Sequence, residues 1–138
     1  MAAAETGSMR RILVAEDSPA GQAALQKLLT ALGFSPVFAA SGREAVTLFV
    51  EHPDVALILM DVRMPNLNGI KAAQEIRIAG GSRGMQVPII GMTAADGPEV
   101  RRECLSSGMN ELLTKPLDPR QLVETIRRLS PQAIAKKQ

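Results

Sequence analysis

Five residues of this chain could do chemistry if the fold gathered them: Glu16, Asp17, Asp61, Thr93 and Lys115. Each follows a short apolar run or a predicted strand, and four different strands are involved. Three carboxylates packed together repel, and their charged forms are costly unless a cation joins them. An oxygen-only ligand set with no Cys or His nearby favours a hard divalent ion, and Mg²⁺ suits a sparse site that keeps several waters. Such an ion would neutralise part of an incoming phosphoryl group. Lys115 adds a point charge to grip one phosphoryl oxygen, and the Thr93 hydroxyl can donate to another. Phosphoryl transfer asks mainly for positioning and charge stabilisation, and Asp61 would be its carboxylate nucleophile. Singly, each residue has a plainer reading. Glu16 and Asp17 could be loop acids or a helix cap, Thr93 an ordinary strand-end residue, and Lys115 a solvated lysine. Their joint placement argues for a site.

The elements that must position them read as five β-α units. Apolar runs at Ile12–Ala15, Val37–Ala40, Val55–Met60 and Val87–Met92, with a weaker one around Leu112-Leu113, predict strands. Unbroken apolar runs suit strands buried on both faces, as in a parallel sheet. Pro88 is tolerable near a strand start. Between them, Leu25, Leu28, Leu29 and Leu32 follow helical spacing, and Gly33 suits the helix end. Ser18-Pro19 and Asp118-Pro119 read as helix starts. Ser41 with Glu44, and Asp96 with Glu99, have capping-box spacing. Leu122, Ile126 and Leu129 share one face of the last helix, and Gly108 ends the helix before it. Gly80 to Gly84 reads as a flexible loop and not as a phosphate cradle, since no GK[ST] follows and no strand precedes it. The alternation predicts an α/β fold with a parallel sheet, right-handed crossovers and helices on both faces. In such sheets ligands bind beyond the carboxyl ends of the strands, where the five residues lie.

The 138 residues fit one domain. Hydrophobic residues make up 46% and charged residues 22%, ordinary globular usage. A net charge of +2 and 2% aromatics, with no Trp or Tyr, argue against direct nucleic-acid binding. No apolar run reaches the roughly 18–20 residues needed to cross a bilayer, so direct membrane contact is not expected. The single cysteine, Cys104, fits a reducing compartment and is read as a small buried hydrophobe. Residues 1–9 are set aside as a disordered or cloning-derived extension, 10–130 as the domain, and 131–138 as a C-terminal tail.

The stretches Ile12-Leu13-Val14-Ala15-Glu16-Asp17, Ile58 to Pro65, Gly69, Pro88 to Ala94 and Thr114-Lys115-Pro116 resemble the receiver domain of response regulators. The wording around Met92-Thr93-Ala94-Ala95 and from Glu103-Cys104-Leu105 through Gly108-Met109-Asn110 is most similar to receivers of hybrid sensor histidine kinases. The resemblance implies a flavodoxin-like (βα)5 fold with strand order 2-1-3-4-5. It implies that Asp61 accepts a phosphoryl group from phosphohistidine, supplied by a histidine kinase or a histidine phosphotransfer domain. Glu16, Asp17 and Asp61 would hold Mg²⁺, with the Arg63 backbone carbonyl completing the site. Thr93 would be the switch hydroxyl, and the Lys115–Pro116 bond would be cis. Phosphorylation would switch the face made by the fourth predicted helix, the fifth strand and the fifth helix. The activity implied is Mg-dependent self-phosphorylation and dephosphorylation, not ordinary turnover, in the cytoplasm; the parent protein is free to be membrane-associated. One position departs: the family often carries Tyr or Phe where this chain has Leu112.

Other readings fit less well. A haloacid-dehalogenase-type phosphatase would carry a second Asp where Arg63 stands. A phosphotransfer module using His52 would be all-helical, and His52 before Pro53 reads as a surface loop residue. A degenerate receiver used only for binding would not keep the acid, threonine and lysine set. Between a stand-alone regulator and the receiver of a hybrid kinase, the sequence phrases favour the hybrid.

Overall fold

The structure, a computed structural model, describes residues 10–64 and 68–131. The nine-residue extension, Pro65 of the second matching stretch and nearly all of the C-terminal tail lie outside the described residues. Five strands, β1 (Arg10–Ala15), β2 (Phe34–Ala39), β3 (Val55–Asp61), β4 (Ile89–Thr93) and β5 (Glu111–Thr114), pair in parallel in the order β2-β1-β3-β4-β5. Six helices connect and cover them: α1 (Pro19–Ala31), α2 (Gly42–Glu51), α3 (Gly69–Ala79), α4 (Gly81–Gln86), α5 (Pro98–Ser106) and α6 (Pro119–Leu129). The expected switch face is therefore α5–β5–α6.

Alternation along the strands divides the core in two. Ile12, Val14, Leu57, Leu59, Ile90, Met92 and Leu113 point to the side covered by α1 and α6, where they meet Leu25, Leu29, Leu122 and Ile126. Leu13, Ile58, Met60, Ile89 and Leu112 point to the other side, against Ala45, Phe49, Ala72, Ile76 and Cys104. Cys104 is fully buried, as its type suggests. Strands covered on both faces account for the unbroken apolar runs.

Local signals act where the sequence puts them. Ser18, Ser41 and Asp118 cap α1, α2 and α6, each accepting from a main-chain amide two or three residues on. Gly33 and Gly108 have φ of 92° and 111°, the left-handed conformation that ends α1 and α5. Four expectations need correction, three of them small. β2 starts at Phe34, three residues before the apolar run, because an edge strand has room for Pro36. Asp96 and Glu99 form no capping box. The N-cap of α5 is Gly97, without a side-chain bond, and Asp96 pairs with Arg101 at 2.6 Å. His52 is half-buried at the C-cap of α2, its Nδ1 2.9 Å from the Leu48 carbonyl.

The largest correction concerns Gly80 to Gly84, which is a docked helix and not a loop. A side chain at Gly84 would collide with the Ile76 carbonyl of α3, so close approach needs glycine there. Two arginines bolt α4 in place. Arg83 lies 3.9 Å over the Phe49 ring and donates to the Phe49 carbonyl at 2.7 Å. Arg77 of α3 donates to the carbonyls of Gly84 at 2.9 Å, Val87 at 2.6 Å and Gly108 at 3.1 Å, and to Asn110 Oδ1 at 3.0 Å. Asn110 Oδ1 also accepts the Ile89 amide at 2.8 Å. The planar fork of one guanidinium thus joins α3, α4 and the feet of β4 and β5.

Candidate functional site

The carboxyl ends of β1, β3, β4 and β5 bring the expected residues to one edge. Asp61 and Thr93 are the last residues of β3 and β4, so each strand runs one residue beyond its apolar run. Asp61, Glu16 and Thr93 are buried, whereas Asp17 is exposed.

Lys115 ties the acids together. Its Nζ lies 3.0 Å from Asp61 Oδ2 and 2.9 Å from Glu16 Oε1. The Lys115–Pro116 bond is cis, as the resemblance implies. The Lys115 amide donates to the Thr93 carbonyl at 2.7 Å, which fixes the lysine beside β4. Burial pulls the Lys115 pKa down, but its bonds to Glu16 and Asp61 outweigh that and hold it above the ordinary lysine value. The ammonium is therefore kept charged. Asp61 is shifted in the same direction, which for a carboxyl disfavours the charged form. Burial raises its pKa above the usual carboxylate value, against the pull of Lys115. A carboxylate that is less comfortable as an anion is a stronger nucleophile than a solvated one.

Glu16 is packed against the first turn of α1. Its Oε2 accepts the Ser18 amide at 3.1 Å, and a Cβ on Gly21 would stand 2.7 Å from its Cδ. Its buried Oε1 accepts no well-aligned hydrogen bond, although the lysine ammonium is close. Carboxylate oxygens of Glu16, Asp17 and Asp61 lie within 4.8 Å of one another. Three acids against one lysine leave an excess of negative charge, and one buried oxygen lacks a proper donor. This all-oxygen set fits a hard divalent cation.

Arg63 donates its amide to Asp61 Oδ1 at 3.2 Å, while its side chain is exposed. Gly69 opens α3 directly behind Asp61, where a side chain would strike the Asp61 carbonyl. Beside Asp61 lies a cavity of about 450 Å³ lined by Asp61, Arg63, Thr93, Ala94, Ala95 and Lys115.

Thr93 lines that cavity but does not reach into the acid cluster. Its Oγ donates to the Ala95 carbonyl at 3.0 Å and accepts the Ala95 amide at 3.2 Å. It shares strand parity with Ile89, whereas Glu16, Asp61 and Lys115 share parity with the residues facing α1 and α6. Leu112 is buried on Thr93's side of the sheet.

The residues that sequence reasoning missed are linked to the loop after Thr93 through Asp96. Arg101 of α5 pairs with Asp96 at 2.6 Å and with Glu111 at 3.2 Å, and Arg128 of α6 pairs with Glu111 at 2.9 Å. No spacing rule signals contacts between separate helices and a strand. The nearest clue was Asp96 itself, whose capping pattern concealed a different partner.

Comparison with known proteins agrees with this fold. The model of the response regulator receiver domain matches residues 12–127. The chain is 35% identical over 121 residues to hybrid signal transduction histidine kinase I of Dictyostelium discoideum, covering 85% of this chain but 7% of that protein. Among solved structures, the receiver domain of the sensor histidine kinase PA1611 from Pseudomonas aeruginosa, with a magnesium ion in its active site cleft, superposes with a TM-score of 0.80. The two are 36% identical, with 88% of this chain and 97% of that one covered. The receiver domain of Ssk1, solved with the histidine phosphotransfer protein Ypd1 of Saccharomyces cerevisiae, gives a TM-score of 0.80 at 32% identity, covering 88% or more of both chains (89% and 90%). The chain belongs to the response regulator receiver domain family of two-component signalling.

Proposed function

We propose that Asp61 takes a phosphoryl group from a phosphohistidine on a histidine kinase or a histidine phosphotransfer domain, and that the aspartyl phosphate then switches the α5–β5–α6 face. The observation that carries this reading is the contact of Lys115 Nζ with both Glu16 and Asp61, beside the cavity that Asp61 and Lys115 line. A carboxylate oxygen of Asp61 attacks phosphorus. The P–N bond of the donor breaks, and its electron pair leaves with the imidazole, which is protonated in water. Lys115 balances charge on a phosphoryl oxygen, the Arg63 amide holds the second oxygen of Asp61, and Thr93 turns to donate to the product.

Glu16, Asp17 and Asp61, with the Arg63 backbone carbonyl, would hold Mg²⁺. The ion would supply neutralisation of phosphoryl charge. The neighbour with magnesium in its cleft supports this assignment. The co-crystal of a receiver with a phosphotransfer protein supports the donor class. We place the chain in a cytoplasmic compartment as the receiver of a hybrid kinase. The similarity to a hybrid kinase supports the hybrid assignment.

Intact-mass measurement after incubation with acetyl phosphate and Mg²⁺ tests the reading. The chain gains one acid-labile phosphoryl group, and Asp61→Asn gains none. A wild-type chain that stays unmodified refutes the proposal.

A further inference from the structure

Thr93 cannot grip a phosphoryl oxygen while its hydroxyl is engaged twice by Ala95. Turning it inward breaks both bonds and leaves the Ala95 amide and carbonyl to find new partners, so the segment from Ala94 to Asp96 must shift. That segment is fastened at its far end. Asp96 Oδ2 is held at 2.6 Å by Arg101 Nη2. The same guanidinium reaches Glu111 Oε2 at 3.2 Å and the Leu112 carbonyl at 3.4 Å. Glu111 Oε2 also accepts the Leu112 amide at 3.1 Å, and its Oε1 accepts from Arg128 at 2.9 Å. Charge runs without a break from the loop after Thr93, across β5, to α6. Leu112 takes part through its main chain; its side chain is an aliphatic plug 2% exposed, with no polar atom to offer.

We propose that Arg101 is a positioning residue for phosphorylation of Asp61. By gripping Asp96 it latches the Thr93 loop in its turned-away state, and through Glu111 it connects that loop to Arg128. The inference rests on the phosphoacceptor reading. Binding at the site and release of the latch are then linked in both directions. A phosphoryl group that draws Thr93 inward loosens Asp96 from Arg101, and the freed guanidinium rearranges Glu111 and Arg128. Cutting the latch makes the inward state easier to reach.

Beryllium fluoride with Mg²⁺, a tetrahedral phosphoryl mimic, tests this through the midpoint of its binding, followed by amide NMR. Arg101→Gln and Asp96→Asn each lower the midpoint roughly two- to fivefold, the range expected for partly exposed pairs. The double variant shifts no further than Arg101→Gln alone, because Asp96→Asn removes a contact that Arg101→Gln has already removed. Arg101→Lys falls between, since it keeps charge but not the fork. In the wild type the Arg128 Nε–H resonance moves on adding the mimic, and in Glu111→Gln it stays. In about 1 M salt, where screening acts over about 3 Å, the difference between wild type and variants shrinks. Unshifted or additive midpoints, with a wild type that takes up the mimic at Asp61, overturn the latch alone. A wild type that does not take up the mimic overturns the phosphoacceptor reading and the latch with it.

Discussion

Asp61 and Thr93 end neighbouring strands, yet they are held in opposite ways. Asp61 already touches the lysine that would grip its phosphoryl group, and Glu16 beside it is seated against α1. Thr93 is occupied by its own loop. The parity of the sheet underlies the difference. Glu16, Asp61 and Lys115 fall on the side of α1 and α6, whereas Thr93 and Leu112 fall on the side of α2, α3 and α5. The groups proposed to react are already in contact, and the group proposed to respond is not. On the proposed reading, chemistry and response would start from opposite sides of one sheet.

The largest effects should separate the two halves. Lys115→Ala removes the charge that is already in place, so labelling by acetyl phosphate falls about 10²-fold, the size expected for losing one preorganised charge-stabilising group. Thr93→Ala slows labelling by less than about tenfold but abolishes the chemical-shift changes that labelling induces in α5, β5 and α6. This follows if Thr93 acts after the transfer and not in it. Equal losses in labelling for the two variants would break the comparison.

A middle-sized effect concerns stability. The Asp61 pKa is raised by burial, so the folded state holds that proton more tightly than the unfolded chain. The contribution of Asp61 is favourable below its unfolded value of 3.8 and is lost as pH rises through the higher folded value. Asp61→Asn therefore melts above the wild type at neutral pH, by roughly 3–5 °C for about 1 kcal/mol. The gap narrows as pH falls through the folded pKa of Asp61. Millimolar Mg²⁺ raises the melting temperature of the wild type and leaves Asp61→Asn nearly unmoved. Calorimetry from pH 4 to 8 with and without Mg²⁺ reads both effects.

A further effect should come from Gly21→Ala. Its new methyl group presses on Glu16, so the cost is about 1–3 kcal/mol together with slower labelling. Thermal melts alongside the labelling assay check whether the reacting half is as tightly seated as its contacts say. An unchanged labelling rate would show that Glu16 has slack.

Much of this was legible in the residues. Apolar runs gave the strands because both sheet faces are covered, and Ser18, Ser41 and Asp118 cap as their types predict. The acids, Thr93 and Lys115 were found because they recur at strand ends, which is a pattern along the chain. What escaped was decided by packing across it. Gly80, Gly81 and Gly84 lower helix propensity, and so read as a loop. Glycine is nonetheless what lets α4 sit against Ile76. Asp96 has a capping residue's type and spacing, but Arg101 claims it from the next turn. Which way the Thr93 hydroxyl points depends on a rotamer and on Ala95, neither of which residue types encode.

The Arg77 clamp bears on which parts of the sheet can open. It gathers carbonyls from α4, from the segment entering β4 and from the loop entering β5, all at the end of the sheet away from Asp61. Solvent must break several charged hydrogen bonds at once to loosen that end, whereas the opposite ends of the same strands finish in loops. Along β4 and β5, deuterium should therefore enter from the Thr93 end first, and the amides of Ile89 and Asn110 should be among the slowest to exchange.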